Sequence, residues 1–158
     1  MKINLNKHLL FVLFFALIFN VANAQFTDPV HCSFIVDQKN ATTATLNIKC
    51  KIDDKWHIFA LAHKGEIGLP TVITIEKSDD FEFDGELTEP KPLEELDAIT
   101  KTTLKYFSKE VTFGQKIKIV NTKPFKIKGI LTYQSCNDDG CLAPNDVDFI
   151  LELNKDSK

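Results

Sequence analysis

The segment "ATLNIKCKI", residues 44–52, places Leu46, Ile48, Cys50 and Ile52 on one parity and Asn47, Lys49 and Lys51 on the other. A period of two lines one face of a β-strand, whereas a helix would need a period near 3.6. Comparable short apolar runs recur in "CSFIVD", "WHIFALA", "TVITIE", "FEFDGEL", "EVTFGQKIKIV", "FKIKGILTYQ" and "VDFILEL". Gly, Pro, Asp and Asn separate them, as turns require. About eight short strands at this spacing predict an all-β chain folded as an antiparallel β-sandwich. Only "PLEELDAI" has helical colour. In residues 110–120 the inward set Val111, Phe113, Ile117 and Ile119 suggests a change of phase near Gly114, hence a bulge or bend.

The first 24 residues do not belong to that pattern. Lys2 and Lys7 form a basic start, Leu9 to Phe19 is almost wholly apolar, and Ala22-Asn23-Ala24 is a small-x-small cleavage site. This is the layout of a secretory signal peptide. Cleavage after Ala24 leaves residues 25–158, one domain by length. No later apolar run is long enough for a helical span, so no membrane span is expected after cleavage. No Cys follows the cut, so a lipoprotein anchor is not expected either. Secretion also allows disulfides to persist.

Charge narrows the partners. The chain carries a formal −3, and loss of Lys2 and Lys7 leaves about −5. Every basic residue is Lys; there is no Arg to grip phosphate or base edges bidentately. Nucleic acid is therefore not an expected partner.

Four cysteines remain to be placed. If Phe34 faces Ile48 and Val36 faces Leu46 in the first hairpin, then Cys32 faces Cys50 on the apolar side. They are either two buried thiols or a cross-strand disulfide. Cys136 and Cys141 sit in "YQSCNDDGCLAP", in the connection between two strands, with Asn137, Asp138, Asp139 and Gly140 as turn residues. A disulfide in an exposed polar loop is open to attack by a partner's thiolate. It could equally be a staple: chain entropy credits this short loop with about 2 kcal/mol and the Cys32–Cys50 loop with about 3, too close to decide roles. Asp138 and Asp139 disfavour a thiolate at either cysteine, which suits a protected carrier better than a general oxidant. His31, His57 and His63 stand at no recognised ligand spacing from the pair, so no metal site is expected. His57, in a strand beside Trp56, reads as structural or merely exposed. There is no Gly-rich phosphate loop, and no cofactor is expected.

Three segments, "DKWHIFALAHKGEIGLPTVITIE", "FSKEVTFGQKIKI" and "LTYQSCNDDGCLAPNDVDFILEL", together resemble the N-terminal periplasmic domain of DsbD, the bacterial protein-disulfide reductase. The likeness runs from about Phe34 to Leu153. Its most specific part is Tyr-Gln, two cysteines around a short acidic loop, then a Pro-containing step into the closing strand. The resemblance implies an immunoglobulin-like sandwich and a periplasmic location. It implies that Cys136 and Cys141 carry reducing equivalents, with Cys141 attacking partners and Cys136 resolving the mixed disulfide. It implies an aromatic cap over the pair, for which Tyr106 and Phe107 are the candidates. Partners would be thioredoxin-like redox proteins or a separate membrane disulfide reductase, because the sequence stops at Lys158, short of the reductase's membrane and thioredoxin-like parts. The domain is expected to be a monomer. "LAP" replaces a Pro-Pro step common in the family, and the resemblance assigns no role to Cys32 and Cys50. The competing reading is a non-catalytic immunoglobulin-like binding module whose second disulfide only staples a loop.

Overall fold

The structure is a computed structural model and describes residues 28–121 and 123–153; the expected signal peptide lies outside them. The described residues form an all-β, immunoglobulin-like sandwich with no helix. No helix among them is long and apolar enough to cross a membrane.

The order is β1 (Val30–Asn40), β2 (Thr43–Ile52), β3 (His57–Phe59), β4 (Val72–Ile75), β5 (Phe81–Phe83), β6 (Leu93–Leu96), β7 (Thr103–Phe107), β8 (Glu110–Ile119), β9 (Phe125–Tyr133), β10 (Ser135–Asn137), β11 (Gly140–Cys141) and β12 (Asn145–Leu153). Every ladder between these strands is antiparallel. One four-stranded sheet runs β1-β2-β8-β5. A three-stranded sheet, β12-β9-β4, packs on it, and a five-stranded sheet, β11-β10-β3-β7-β6, extends the second layer. A single residue, Gln134, separates β9 from β10 and joins those two sheets.

The core is the sum of the inward parities. Leu46, Ile48 and Cys50 of β2, Val111, Phe113 and Ile117 of β8, Ile127 and Leu131 of β9, and Ile58 of β3 are all buried. Ring contacts tie the layers: Phe34 of β1 stacks on Phe149 of β12 at 4.6 Å, and Phe107 of β7 meets Phe113 of β8 edge-on at 6.0 Å. Gly129 opposite Phe149 is required, because a Cβ there would lie 2.4 Å from the Phe149 ring and 2.5 Å from the Thr74 carbonyl oxygen.

Two expectations need correction. β8 contains no bulge against β2: its register runs unbroken from Thr43↔Lys118 to Lys51↔Glu110. Val111, Phe113, Gln115, Ile117 and Ile119 keep one parity, and the apparent change of phase is only a polar residue, Gln115, on the inward face. Gln115 is buried because its Nε2 donates to the carbonyls of Gly85 and Lys116, at 3.1 and 2.8 Å. Gly114 instead exchanges two backbone hydrogen bonds with Thr88, each 2.9 Å. "PLEELDAI" is no helix either. Leu93–Leu96 is edge strand β6, and Asp97 ends it by accepting hydrogen bonds from the backbone of Ile99 and Thr100 and from the Thr100 hydroxyl. A short polar side chain that satisfies local amides favours a turn over a helix.

The first hairpin has the expected register, with Cys32↔Cys50, Phe34↔Ile48 and Val36↔Leu46. Cys32 and Cys50 are joined in a disulfide, and Cys50 is fully buried. This resolves the choice between thiols and a disulfide.

Candidate functional site

Cys136 and Cys141 are also joined, across a small hairpin. Cys136 pairs with Cys141 and Asn137 with Gly140, so the two acids Asp138 and Asp139 form a two-residue turn. Asn137 holds it: its Oδ1 accepts from the backbone of Asp139 at 2.9 Å and of Gly140 at 3.1 Å. Gly140 has φ +145°, a conformation costly for any side chain. The pair is therefore a directly opposed cross-strand pair, and the loop expected between two strands is itself a β-hairpin.

The two sulfur-bearing residues are not equivalent. Cys136 is 2% exposed, while Cys141, on the edge strand, is exposed. Cys136 lies between β11 and β3, opposite His57.

The register decides which face carries the site. Ile58 pairs with Ser135 on one side and with Phe107 on the other, and all three are buried toward the core. Alternation then turns Cys136, His57, Phe59 and Tyr106 to the outer face of the five-stranded sheet. There the His57 ring lies 5.0 Å from Tyr106 and 5.4 Å from Phe59, centroid to centroid. The two cap candidates consequently part company. Tyr106 is half-buried beside the site and donates its hydroxyl to Glu95 at 3.1 Å. Phe107 takes a core position against Phe113 and faces away from the disulfide.

Titration follows from this packing. Burial pushes His57 below its ordinary value of 6.5, although Asp138 and Glu95 oppose that shift. Burial and the hydrogen bond to Glu95 push the Tyr106 phenol up. A cleft of about 270 Å³ opens beside His57 and Tyr106, walled by Asp53–Trp56 and by Ser108 and Lys109. Two of its residues, Lys55 (φ 71°) and Lys109 (φ 70°), hold left-handed backbone without being glycine. Two larger cavities, of about 520 Å³ at the β1–β2 turn and the end of β8 and about 540 Å³ between residues 62–65 and 102–105, include none of the candidate residues.

The rest of the resemblance motif builds the support. Gln134 bridges two segments: its Oε1 accepts from the Leu69 amide at 2.9 Å and its Nε2 donates to the Leu142 carbonyl at 2.9 Å. Leu142 directly follows Cys141, so the Gly-Leu-Pro-Thr loop is fastened to the chain leaving the disulfide. That loop folds over Phe59, with Gly68 against its ring and Thr71 donating to its carbonyl at 2.6 Å. His63, buried and stacked on Phe59 at 4.3 Å, bonds the Ile67 carbonyl at 2.9 Å through Nε2 and accepts from the Lys105 amide at 3.3 Å through Nδ1. Tyr133 anchors the other side, donating to Asp28, while Asn145 donates to both Asp28 and the Tyr133 oxygen, at 2.7 and 3.0 Å. Gln134 belongs to the Tyr-Gln step of the resemblance motif, but its bridging role shows only in the structure. His57 carries no local signal, and only its place opposite Cys136 in the sheet reveals it. Among the described residues no cluster of three or more His, Cys, Asp or Glu could hold a metal ion. His31 pairs with Asp53 at 3.5 Å on the surface.

Comparison with known proteins places these features. The sequence profile described as "Thiol:disulfide interchange protein DsbD, N-terminal" matches residues 24–153. No curated protein sequence matches the chain. Among solved structures, the N-terminal periplasmic domain of ScsB from Proteus mirabilis is similar, with a TM-score of 0.57 and 19% identity, over 82% of this chain and 47% of that one. The chain thus spans about half of that ScsB structure. The complex of the DsbD and PilB N-terminal domains from Neisseria meningitidis gives a TM-score of 0.50 and 16% identity, over 75% of this chain and 80% of that one. The reduced Neisseria meningitidis DsbD N-terminal domain gives 0.49 and 21%, over 72% and 86%. With the profile match spanning most of the sequence, the chain belongs to the DsbD N-terminal family, which transfers reducing equivalents to thioredoxin-like partner proteins.

Proposed function

We propose that Cys136–Cys141 is the pair through which this domain exchanges electrons, in the periplasm, with thioredoxin-like proteins or a separate membrane disulfide reductase. The observation that carries this reading is the asymmetry of the pair: Cys141 exposed on an edge strand, Cys136 buried behind it. A disulfide offers an incoming thiolate a choice of sulfur, and access decides it. In the reduced domain the Cys141 thiolate attacks an acceptor disulfide, forms a mixed disulfide and releases the acceptor's other sulfur. Cys136 then attacks the Cys141 sulfur and displaces the acceptor. Two electrons pass to the acceptor, which becomes a dithiol, and Cys136–Cys141 is restored. A donor dithiol reverses these steps. Tyr106, on the same outer face, covers the pair between encounters.

The test is trapping. Cys136→Ser leaves Cys141 without a resolving thiol, so mixed disulfides with a thioredoxin-fold partner accumulate on non-reducing gels. Cys141→Ser does not trap. If neither variant captures such a partner, or only Cys141→Ser does, the assignment is wrong.

A further inference from the structure

The resolving step poses a chemical problem. Cys136 must become a thiolate to attack, yet it is 2% exposed. Burial raises a thiol's pKa, and Asp138, two residues on in the hairpin turn, adds negative charge to the neighbourhood. A buried thiol of this kind reacts at neutral pH only if a neighbouring group takes its proton.

One side chain is placed to do so. His57 on β3 directly opposes Cys136 on the side away from Cys141, on the same outer face. Opposed residues in an antiparallel pair have Cβ atoms about 4.5–5.5 Å apart, within reach of an imidazole. Tyr106 and Phe59 pack against the ring and fix where it stands. His63, the other nearby histidine, cannot substitute, since both its nitrogens are engaged with Ile67 and Lys105.

We propose that His57 accepts the proton of Cys136 during resolution. This rests on the assignment of Cys136–Cys141 as the exchanging pair. In the step, the Cys136 S–H bond breaks and its proton moves to an imidazole nitrogen. The sulfur's electron pair forms the Cys136–Cys141 bond, and the mixed disulfide breaks with the partner leaving as a thiolate. In the reverse direction the imidazolium returns the proton to Cys136 as that sulfur leaves. The charged and titratable groups around His57 are Asp138 of the hairpin turn, Glu95 of β6, Tyr106 of β7, and Asp53, Asp54, Lys55 and Lys109 around the adjoining cleft. Burial outweighs the two acids that face it and keeps the ring neutral near pH 7, the state that can accept a proton.

The test uses oxidised glutathione as the probe. The reduced mature protein is mixed with it, quenched with acid at intervals, and the glutathione adduct on Cys141 is followed by mass spectrometry, for the parent and for His57→Gln, from pH 6 to pH 9.5. General acid–base assistance of this kind contributes about 10²–10⁴-fold. His57→Gln should resolve its adduct at least ten times more slowly at pH 7 and accumulate it. The deficit should shrink toward pH 9.5, where the thiol ionises unaided. Formation of the adduct should change little. A deficit that is the same at every pH means His57 only positions the hairpin, and no deficit means it is idle; either overturns the proposal. Failure of any adduct to form on Cys141, even in Cys136→Ser, removes the exchanging-pair assignment and His57's role with it. A Cys136→Ser adduct combined with normal resolution in His57→Gln removes only the latter.

Discussion

Gly68 sits where the Gly-Leu-Pro-Thr loop presses on Phe59. Its φ is +75°, and a Cβ built there would lie 1.9, 2.3 and 2.6 Å from three carbons of the Phe59 ring. Ordinary carbon contacts are about 3.5–4.0 Å, so the ring or the loop must yield by roughly 1.5 Å. The ring has little freedom: Phe59 is 1% exposed, with His63 stacked on it at 4.3 Å. In Gly68→Ala the left-handed backbone costs about 1–2 kcal/mol. Overpacking adds about 1–3. If the loop lifts instead, part of the burial of Phe59 is lost, worth up to about 3 kcal/mol. The expected destabilisation is therefore about 2–5 kcal/mol, and with m near 1.5 kcal/mol/M the urea midpoint falls by roughly 1–3 M. Gly85 separates the two effects. Its φ is +86° and nothing lies within 4 Å of an added Cβ, so Gly85→Ala bears the backbone cost alone. Urea unfolding of the oxidised protein should place Gly68→Ala below Gly85→Ala by about 1–3 kcal/mol. Equal stabilities would refute the claim that this loop is locked onto Phe59.

Removing the first disulfide, as Cys32→Ser with Cys50→Ser, should cost about 3 kcal/mol in urea unfolding by the loop-entropy relation, while glutathione still adds to Cys141. Loss of the Cys141 adduct in that variant would show the two disulfides to be functionally linked. Tyr133 is 1% exposed, and burial together with its bond to Asp28 pushes the phenol well above its ordinary 10.0. A raised folded-state pKa stabilises fully below the unfolded value, and that contribution is lost as pH climbs above 10. Stability should therefore fall on the alkaline side of pH 10, and Tyr133→Phe should flatten that fall while costing about 1–2 kcal/mol at pH 7. An unchanged alkaline limb in Tyr133→Phe would contradict the assignment.

Local pattern reached as far as local physics does. The register of β1 on β2 follows from Cys32, Phe34 and Val36 sharing a parity with Leu46, Ile48 and Cys50, because a slip of one would turn every apolar side chain outward. β6, β7 and the β10–β11 hairpin left weaker traces. Leu93 and Leu96 are both exposed, so β6 has no buried parity to display and owes its strand state to pairing with β7. β10 and β11 span three and two residues, too few for a period to show. The cysteines of the candidate site were visible as residues, yet their unequal exposure was not. It depends on β10 lying inside the sheet and β11 at its edge. The same limit separates Tyr106 from Phe107: adjacent positions in a strand face opposite ways, and only the pairing with Phe59 and Ile58 says which face holds the disulfide.

The central claim is that one disulfide exchanges and the other does not. Equilibration of the mature protein in thiol redox buffers, with mass spectrometry to assign each pair, tests it most directly. Cys136–Cys141 is expected between about −270 and −180 mV, within reach of thioredoxin-like partners, with Cys32–Cys50 below about −300 mV. A Cys136–Cys141 potential below about −300 mV would mark that pair as structural and contradict the account.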